Sequence, residues 1–470
     1  MRNCLTIALL LLVSMAATGA KVKYPGGKKY IYRYYLTDKK VTEYSIDRPQ
    51  RFLSPRSLER RERQGLKVDS TDLPVPREYI RKFRRRGAQV LGTSRWQNTI
   101  LVSSEDTTVL NELARLPIVC AYRLVFVAPD SIDKPEDIRW NVHETFNRWD
   151  SVKNDPYGMA REQVEMLGGV CLHEAGFMGK GITIAIIDGG FQNYDRIPAL
   201  SQAKVLGAHD FVEPGNNESA TSVASGSGFH RIDHGTKVFS SMAARAPEVI
   251  MGTAPEASYW LLRSEDHDTE QPVEEDYWTM AAEFADSVGT DVINSSLGYY
   301  KYDDPLPSYR LRDLDGRTAF VSRTASMLAG KGIVHCNSAG NSGMGQWKKI
   351  GVPADADDIL TVGAVDAQGV IAPFSSVGPS QDNRVKPDVV ARGSNTTLIS
   401  GRGTLVHDMG TSFSTPVTCG LVACLWQACP TLTAYQVIDL VRRSADQFDE
   451  PNNIYGYGLP DFWRAYQEGR

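Results

Sequence analysis

Four hydroxyl side chains occur within seven residues of the sequence, in the stretch GTSFSTP at positions 410–416, directly before an apolar run. Serine and threonine often cap helices, because they accept hydrogen bonds from the free N–H groups of a helix's first turn. A serine hydroxyl is also a nucleophile when one side chain removes its proton and another orients that base. The stretch therefore predicts a helix start, and it predicts a nucleophile only if the rest of the chain supplies those two groups.

A carboxylate and an imidazole stand in positions suited to that chemistry. Asp188 directly follows the strand-like run 182–187 and precedes two glycines. A carboxylate at the end of a buried strand is costly unless it has a partner, although a turn or a cap is the other role open to it. His234 begins a helix-like run, HGTKVFSSMAA, after a loop rich in Gly and Ser. A lone histidine is more often structural than catalytic, so neither residue is decisive by itself.

An amide follows another strand-like run. Asn341 lies in GIVHCNSAGNSG, between glycines that favour a tight turn, and asparagine tolerates the left-handed conformation of such turns. Its side-chain amide could equally donate a hydrogen bond to a developing oxyanion. Both roles stay open on the local sequence.

The segments that carry these residues alternate between strand-like and helix-like patterns. Apolar β-rich runs occupy residues 182–187, 291–295, 332–336 and 359–364, and helical stretches such as 276–289 and 317–332 lie between them. Continuous apolar strands with intervening helices predict an α/β fold with a parallel sheet covered on both faces. In such sheets the reactive groups collect at the carboxyl ends of the strands.

The four residues occur in the order and the sequence contexts of the subtilisin-like serine peptidases, which this chain resembles over residues 157–465. The match is carried by IIDGGF, HGTKV, SAGNSG and GTSFSTP, with support from GTAPEA, NSSLGY, FSSVGP and KPDVVARG. The resemblance implies a three-layer fold with a mostly parallel central sheet between helices.

The resemblance also implies a role for each residue. Ser412 would attack a peptide carbonyl, and His234 would take its proton and later pass one to the leaving amine. Asp188 would hold the imidazole in the required tautomer. The side chain of Asn341 and the backbone N–H of Ser412 would form the oxyanion hole. No cofactor is required for this chemistry.

The same resemblance implies a substrate-binding segment and exposes one departure. Ser296, Leu297 and Gly298 match the segment with which an extended substrate would pair as an added strand. The family usually has Ser or Thr directly after the aspartate, whereas this chain has Gly189. One hydroxyl near Asp188 is therefore missing. We expect this to affect the catalytic rate and not the identity of the catalytic residues.

The chain divides into two pieces of opposite charge. Residues 21–128 contain 23 Lys+Arg and 11 Asp+Glu, whereas residues 129–470 contain 28 and 45. The first piece alternates short strand-like and helix-like runs, which predicts a small α+β domain. Its basic cluster at 81–86 lacks a recognisable nucleic-acid motif, so we expect a solvated helix face or a face that docks on the acidic piece, and no nucleic-acid partner.

Position and size make residues 21–128 comparable to the prodomain that many relatives carry. We expect this domain to act as an intramolecular inhibitor and folding aid, with a permanently attached accessory domain as the alternative. Residues 129–156 are polar and predict a linker and a place for processing. Residues 157–470 then form the peptidase domain.

The first 20 residues predict export. Arg2 precedes an apolar run, 5–13, and small residues follow at 16–20, which is the pattern of a cleaved signal peptide. No later segment is apolar for long enough to predict a membrane span. We expect a periplasmic, cell-surface or extracellular protein.

Six cysteines follow the signal peptide, and an even number in an exported chain permits disulfides without requiring them. Cys419, Cys424 and Cys429 recur every five residues and are expected to be core side chains rather than metal ligands. Relatives often bind structural Ca²⁺, so the acidic segments 263–270 and 300–305 are either calcium loops or solvated loops, and solvated loops are favoured.

These features predict an exported serine endopeptidase that hydrolyses protein or peptide substrates through an acyl-enzyme. One alternative is a binding or chaperone-like protein that kept the fold and lost useful turnover. Another is a hydrolase that uses the same triad on a non-peptide ester or amide.

Overall fold

The computed structural model describes residues 21–24, 27–133, 140–142, 146, 149–213 and 228–470. The predicted signal peptide lies outside these residues. None of the described helices is long and apolar enough to cross a membrane.

The N-terminal region is built on an antiparallel sheet. Its elements are β1 (Lys21–Lys23), β2 (Tyr30–Leu36), α1 (Pro55–Arg63), α2 (Arg77–Arg84), β3 (Gln89–Ser94), β4 (Thr99–Ser104), α3 (Thr107–Leu113), β5 (Val119–Val127) and β6 (Ser131–Asp133). Four strands form a sheet in the order β3-β4-β2-β5, and β1 pairs with β6. Tyr34, Phe83 and Leu110 are buried between this sheet and the helices. The predicted α+β architecture is confirmed.

The rest of the chain alternates strands and helices. Its elements are α4 (Arg161–Glu165), α5 (Gly169–Glu174), β7 (Thr183–Asp188), β8 (Lys204–Asp210), α6 (His234–Ala243), β9 (Arg245–Ala246), β10 (Ile250–Met251), β11 (Ser258–Arg263), α7 (Val273–Val288), β12 (Val292–Ser295), α8 (Phe320–Ala325), β13 (Val334–Ser338), β14 (Leu360–Val365), β15 (Val389–Arg392), β16 (Thr396–Ile399), β17 (Leu405–Asp408), α9 (Thr411–Ala428), α10 (Ala434–Arg443) and α11 (Phe462–Gly469).

Seven of these strands form one parallel sheet in the order β15-β14-β13-β12-β7-β11-β8. Helices α6 and α9 pack on one face, where Phe239 and Val417 are buried. Helices α7 and α8 pack on the other, where Trp278 and Val321 are buried. Every residue of β7 and β11 is buried, as expected for strands covered on both faces. The predicted three-layer α/β fold is confirmed.

One predicted helix is shorter than the sequence pattern indicates. The helical stretch expected over 317–332 is α8 followed by a short 3₁₀ turn, and Gly332 ends that turn with φ of 85°. Glycine adopts this left-handed conformation without the steric cost that a Cβ imposes.

The described cysteines are all free, and no disulfide forms among them. Cys419, Cys424 and Cys429 are buried in the core around α9, which confirms the expectation that they are packing residues.

The N-terminal region docks on α7 through a buried carboxylate. Asp286, which is fully buried, accepts hydrogen bonds from the guanidinium groups of Arg60, Arg61 and Arg95. Nη2 of Arg61 lies 2.9 Å from each carboxylate oxygen of Asp286. Burial raises the pKa of Asp286, and the three arginines lower it by more, so the net shift is downward. The stabilisation is therefore present at neutral pH and is lost as the pH falls through the lowered pKa of the folded state.

Two more carboxylates of α7 complete this interface. Glu283 accepts hydrogen bonds from Ser94 Oγ at 2.5 Å and from the N–H of Arg95 at 2.8 Å. Asp276 pairs with buried Arg33, whose Nε lies 2.7 Å from its Oδ1. The predicted basic cluster at 81–86 is mostly exposed, so it is a solvated face, and arginines elsewhere in the sequence make the docking contacts.

Replacing Asp286 with alanine should destabilise the docked chain, because three buried guanidinium groups then lose their common anion. We expect a loss of roughly 3–5 kcal/mol in the free energy of unfolding, measured by denaturant titration at pH 7 in a Ser412→Ala background that prevents proteolysis. The control is Asp439→Ala, which removes an exposed pair with Arg443 and should cost at most about 0.5 kcal/mol. Equal effects of the two substitutions would show that the buried pairs do not hold the domains together.

Candidate active site

The predicted site residues meet at the carboxyl edge of the parallel sheet. Asp188 is the last residue of β7, and Asn341 follows the end of β13. His234 is the first residue of α6 and Ser412 the second residue of α9. Because β12 lies between β7 and β13, the segment 296–298 that follows β12 runs between the other groups.

Asp188 and His234 form a direct hydrogen bond. Nδ1 of His234 lies 2.8 Å from Oδ1 of Asp188, and the same oxygen accepts the N–H of Gly189 at 2.7 Å. Asp188 is 1% exposed, and its Oδ2 has no hydrogen-bond partner among the described residues. A carboxylate only accepts hydrogen bonds, so Nδ1 carries the hydrogen and Nε2 keeps its lone pair. The imidazole is thus held in the tautomer that can act as a base at Nε2.

The electrostatics of His234 favour its protonated form. Burial lowers the pKa of His234, but the charge of Asp188 and the hydrogen bond to it raise the pKa by more, so the net shift is upward. An imidazole in this setting accepts a proton more readily than one in water, as a general base must.

Ser412 lies beside the histidine at the start of α9. The rings of His234 and Phe413 are tilted against each other with centroids 5.7 Å apart. Ser412 Oγ donates to the carbonyl of Ser296 at 3.2 Å, and Ser296 Oγ donates to the carbonyl of Ser412 at 2.9 Å. In the described part of the chain, the hydroxyl of Ser412 is therefore bonded to Ser296 and not to His234.

Asn341 is oriented by Thr411. Its Oδ1 accepts the N–H of Thr411 at 2.9 Å and the hydroxyl of Thr411 at 3.0 Å. A backbone N–H can only donate, so the amide oxygen must face Thr411 and Nδ2 must point the other way, on the side of Gly410. The sequence pattern assigned Thr411 only to the helix start, and its contact with a residue 70 positions away could not be inferred from the local sequence.

The segment Ser296, Leu297 and Gly298 lines a cavity of about 250 Å³ together with Ser412 and Asn341. A Cβ at position 298 would lie 3.2 Å from the carbonyl oxygen of residue 352, so glycine allows the two backbones to approach closely. The structure therefore brings together all seven residues that the sequence singled out.

His267 occupies the space beside Gly189. Its Nε2 lies 3.1 Å from the carbonyl oxygen of Gly189, and a Cβ at that glycine would lie 2.5 Å from the same nitrogen. Burial and the charge of Arg263 lower the pKa of His267 to about 4, so the ring is neutral at pH 7 and donates to the carbonyl. Apart from the presence of a histidine in an acidic segment, no sequence pattern indicates this contact.

The two acidic segments differ in their surroundings. Segment 300–305 is mostly exposed, as expected of a solvated loop. Segment 263–270 is mostly buried or half-buried, and most of it lines a second cavity of about 450 Å³ that also contains Asp188 and His234. Among the described residues, no group of three or more His, Cys, Asp or Glu side chains is arranged to hold a metal ion.

Comparison with known proteins supports the arrangement. The Subtilase family profile matches residues 179–458, and the profile described as Peptidase S8 propeptide domain, Bacteroidota, matches residues 31–138. Subtilisin NAT of Bacillus subtilis subsp. natto is 30% identical over 315 residues, covering 66% of this chain and 71% of that protein. Serine protease AprX of Bacillus subtilis (strain 168) is 27% identical over 322 residues, covering 60% of this chain and 65% of that protein.

A solved structure agrees at the level of the fold. The prenylagaramide maturation protease PagA superposes with a TM-score of 0.51 at 19% identity, covering 64% of this chain and 98% of that one. The family profile spans more than half of the chain and contains the segments of Asp188, His234, Asn341 and Ser412. The chain belongs to the subtilase family, which places it among the serine-type endopeptidases, and its N-terminal region belongs to the S8 propeptide domains.

Proposed function

We propose that this chain is an exported serine endopeptidase whose catalytic triad is Asp188, His234 and Ser412. The observation that carries the proposal is the 2.8 Å hydrogen bond from Nδ1 of His234 to buried Asp188, beside the first turn of α9, which contains Ser412. Nucleophile, base and orienting group thus lie at one edge of the sheet, on three separate elements.

Acylation begins when Ser412 Oγ exchanges its hydrogen bond with Ser296 for one with Nε2 of His234. The oxygen attacks the substrate carbonyl, and its proton passes to Nε2, which leaves an imidazolium facing Asp188. Collapse of the tetrahedral intermediate breaks the C–N bond, and the same proton leaves with the amine. Water repeats the sequence on the ester and releases the acid, so no cofactor takes part in the bond changes.

The oxyanion is stabilised by two donors, Nδ2 of Asn341 and the N–H of Ser412 at the start of α9. Thr411 holds Oδ1 of Asn341, so the amide is oriented before the substrate binds. The first turn of α9 adds the positive end of the helix dipole. The substrate lies as an extended strand along Ser296, Leu297 and Gly298.

The N-terminal region acts as an intramolecular inhibitor and folding aid, with residues 21–128 as the prodomain, 129–156 as the processed linker and 157–470 as the peptidase domain. The match to the propeptide family and the buried ion pairs at α7 support a separate N-terminal domain, and that match extends to residue 138, past the proposed boundary at 128. The propeptide family and the intact triad favour a working enzyme over a binding protein that has lost turnover.

Labelling by a fluorophosphonate probe tests the nucleophile. The chain freed of residues 21–128 should be labelled, and Ser412→Ala should abolish labelling while Ser414→Ala, a neighbouring hydroxyl, should not. Casein hydrolysis should fall by roughly 10⁶-fold in Ser412→Ala, a magnitude taken from subtilisin itself. No labelling of the freed chain would overturn the enzyme assignment, and labelling without casein hydrolysis would favour a non-peptide substrate.

Mass spectrometry of the exported product tests processing. We expect the active protein to begin between residues 128 and 157, because the docked domain covers the enzyme until the linker is cut. The Ser412→Ala chain, expressed without other proteases, should instead begin near Lys21. An active form that also begins near Lys21 would show that the N-terminal domain is a permanent accessory.

Gly189→Ser tests whether His267 replaces the missing hydroxyl. The new Cβ would lie 2.5 Å from His267 Nε2, so either the imidazole must leave the carbonyl of residue 189 or the turn that holds Asp188 must shift, and we expect kcat/KM to fall about tenfold. Adding His267→Ala should restore activity, because the serine hydroxyl then has room near the unpartnered Oδ2 of Asp188. Purely additive effects of the two substitutions on kcat/KM would contradict this packing relationship.

A further inference from the structure

Carboxylates line the second cavity beside the triad. Besides Asp188 and His234, its lining includes Glu265, Asp266, Asp268, Glu270, Glu274 and Asp303, and none of the described lining residues is Lys or Arg. The described lining therefore contains seven carboxyl groups, counting Asp188, and no lysine or arginine.

Nearby guanidinium groups neutralise only part of this charge. Arg231 pairs with Asp268 at 3.3 Å. Arg263 forms its ion pairs with Asp210 and Glu213, at 3.0 and 3.1 Å, and neither of these residues lines the cavity. Glu265 accepts a hydrogen bond from Tyr299 at 2.6 Å, which satisfies an oxygen without adding positive charge. The charges of Glu265 and Glu270 are thus not matched by an ion pair among the described residues.

The ionisation of each of these carboxyl groups disfavours the ionisation of its neighbours. Burial, with the charge of Asp188, raises the pKa of Glu265 to about 7. Burial and the charges of Glu265 and Asp303 raise the pKa of Glu270 to about 8. A cation placed among them would gain their attraction and relieve their mutual repulsion.

Glu265 and Glu270 also face the nucleophile. Both line the 250 Å³ cavity that contains Ser412 and Asn341, as well as the larger one, and both cavities share Ser296 and Leu297. The same wall includes Asp188, which is 1% exposed and has an unpartnered Oδ2. A substrate that reaches Ser412 along the segment 296–298 must therefore pass this acidic wall.

We propose that Glu265 and Glu270 select substrates that carry Lys or Arg close to the scissile bond. This inference rests on the proposed endopeptidase function and names its substrate class. A metal ion is the other cation to consider, but the described side chains do not surround a common point as metal ligands do.

Internally quenched peptides that differ at single positions test the inference in the matured enzyme. Lysine, norleucine and glutamate are placed in turn at each of the four positions on either side of the scissile bond. We expect kcat/KM to favour lysine over norleucine by roughly 10- to 100-fold at one or more positions, as a charge-assisted hydrogen bond allows. Glutamate should be disfavoured further.

Matched variants locate the preference. Glu265→Gln and Glu270→Gln preserve size and should each reduce the lysine-to-norleucine ratio by about tenfold. Asp304→Asn is the control, because Asp304 is an exposed carboxylate of segment 300–305 that lines neither cavity, and it should leave the ratio unchanged. The ratio cancels changes in the triad that affect all peptides equally.

The outcomes separate this inference from the proposed function. Equal cleavage of lysine and norleucine peptides, or a preference that survives both glutamine substitutions, overturns the inference and leaves the endopeptidase standing. A lysine preference that appears in EDTA and disappears in Ca²⁺ assigns the wall to a metal and overturns it as well. Loss of probe labelling at Ser412 overturns the endopeptidase, and the inference with it.

Discussion

The buried carboxylate of Asp188 is the constraint on which the site depends. It stands at the end of a strand with no exposed residue, so it must be matched by donors, and His234 and the N–H of Gly189 supply them. The parallel sheet makes this possible, because its carboxyl edge gathers loops from β7, β12 and β13 within reach of α9. The fold and the proposed chemistry therefore depend on the same contacts. Strand β7 offers no partner for the carboxylate of Asp188, so neighbouring elements must supply the hydrogen-bond donors.

Helix α7 connects the two halves of the molecule. Asp276, Glu283 and Asp286 bind arginines and backbone groups of the N-terminal domain, whereas Glu274, at the start of the same helix, lines the acidic cavity. Helix α7 thus carries five acidic residues and no basic one. This concentration explains why buried pairs, rather than the exposed basic cluster of α2, make the contact.

The sequence was sufficient for the fold class and for the positions of the residues proposed to act. Strands covered on both faces give continuous apolar runs, and the groups that follow them fall at one edge, so Asp188 and Asn341 could be placed from pattern alone. His267 and Thr411 could not, because each acts through a contact with a residue at least 70 positions away. The docking arginines were missed for a related reason, since burial of a guanidinium depends on its partner and not on its neighbours in the chain.

Departure of the N-terminal domain would expose the acidic residues of α7 to solvent. Asp286 would lose all three of its guanidinium partners at once, and Asp276 and Glu283 would lose theirs, so a buried seam would become an acidic strip on the surface. Such a strip attracts the released basic domain through space, and dissolved salt weakens that attraction. The ionic strength of the medium would then set how long a freed N-terminal domain stays bound to the enzyme, so the medium would contribute to the control of activity.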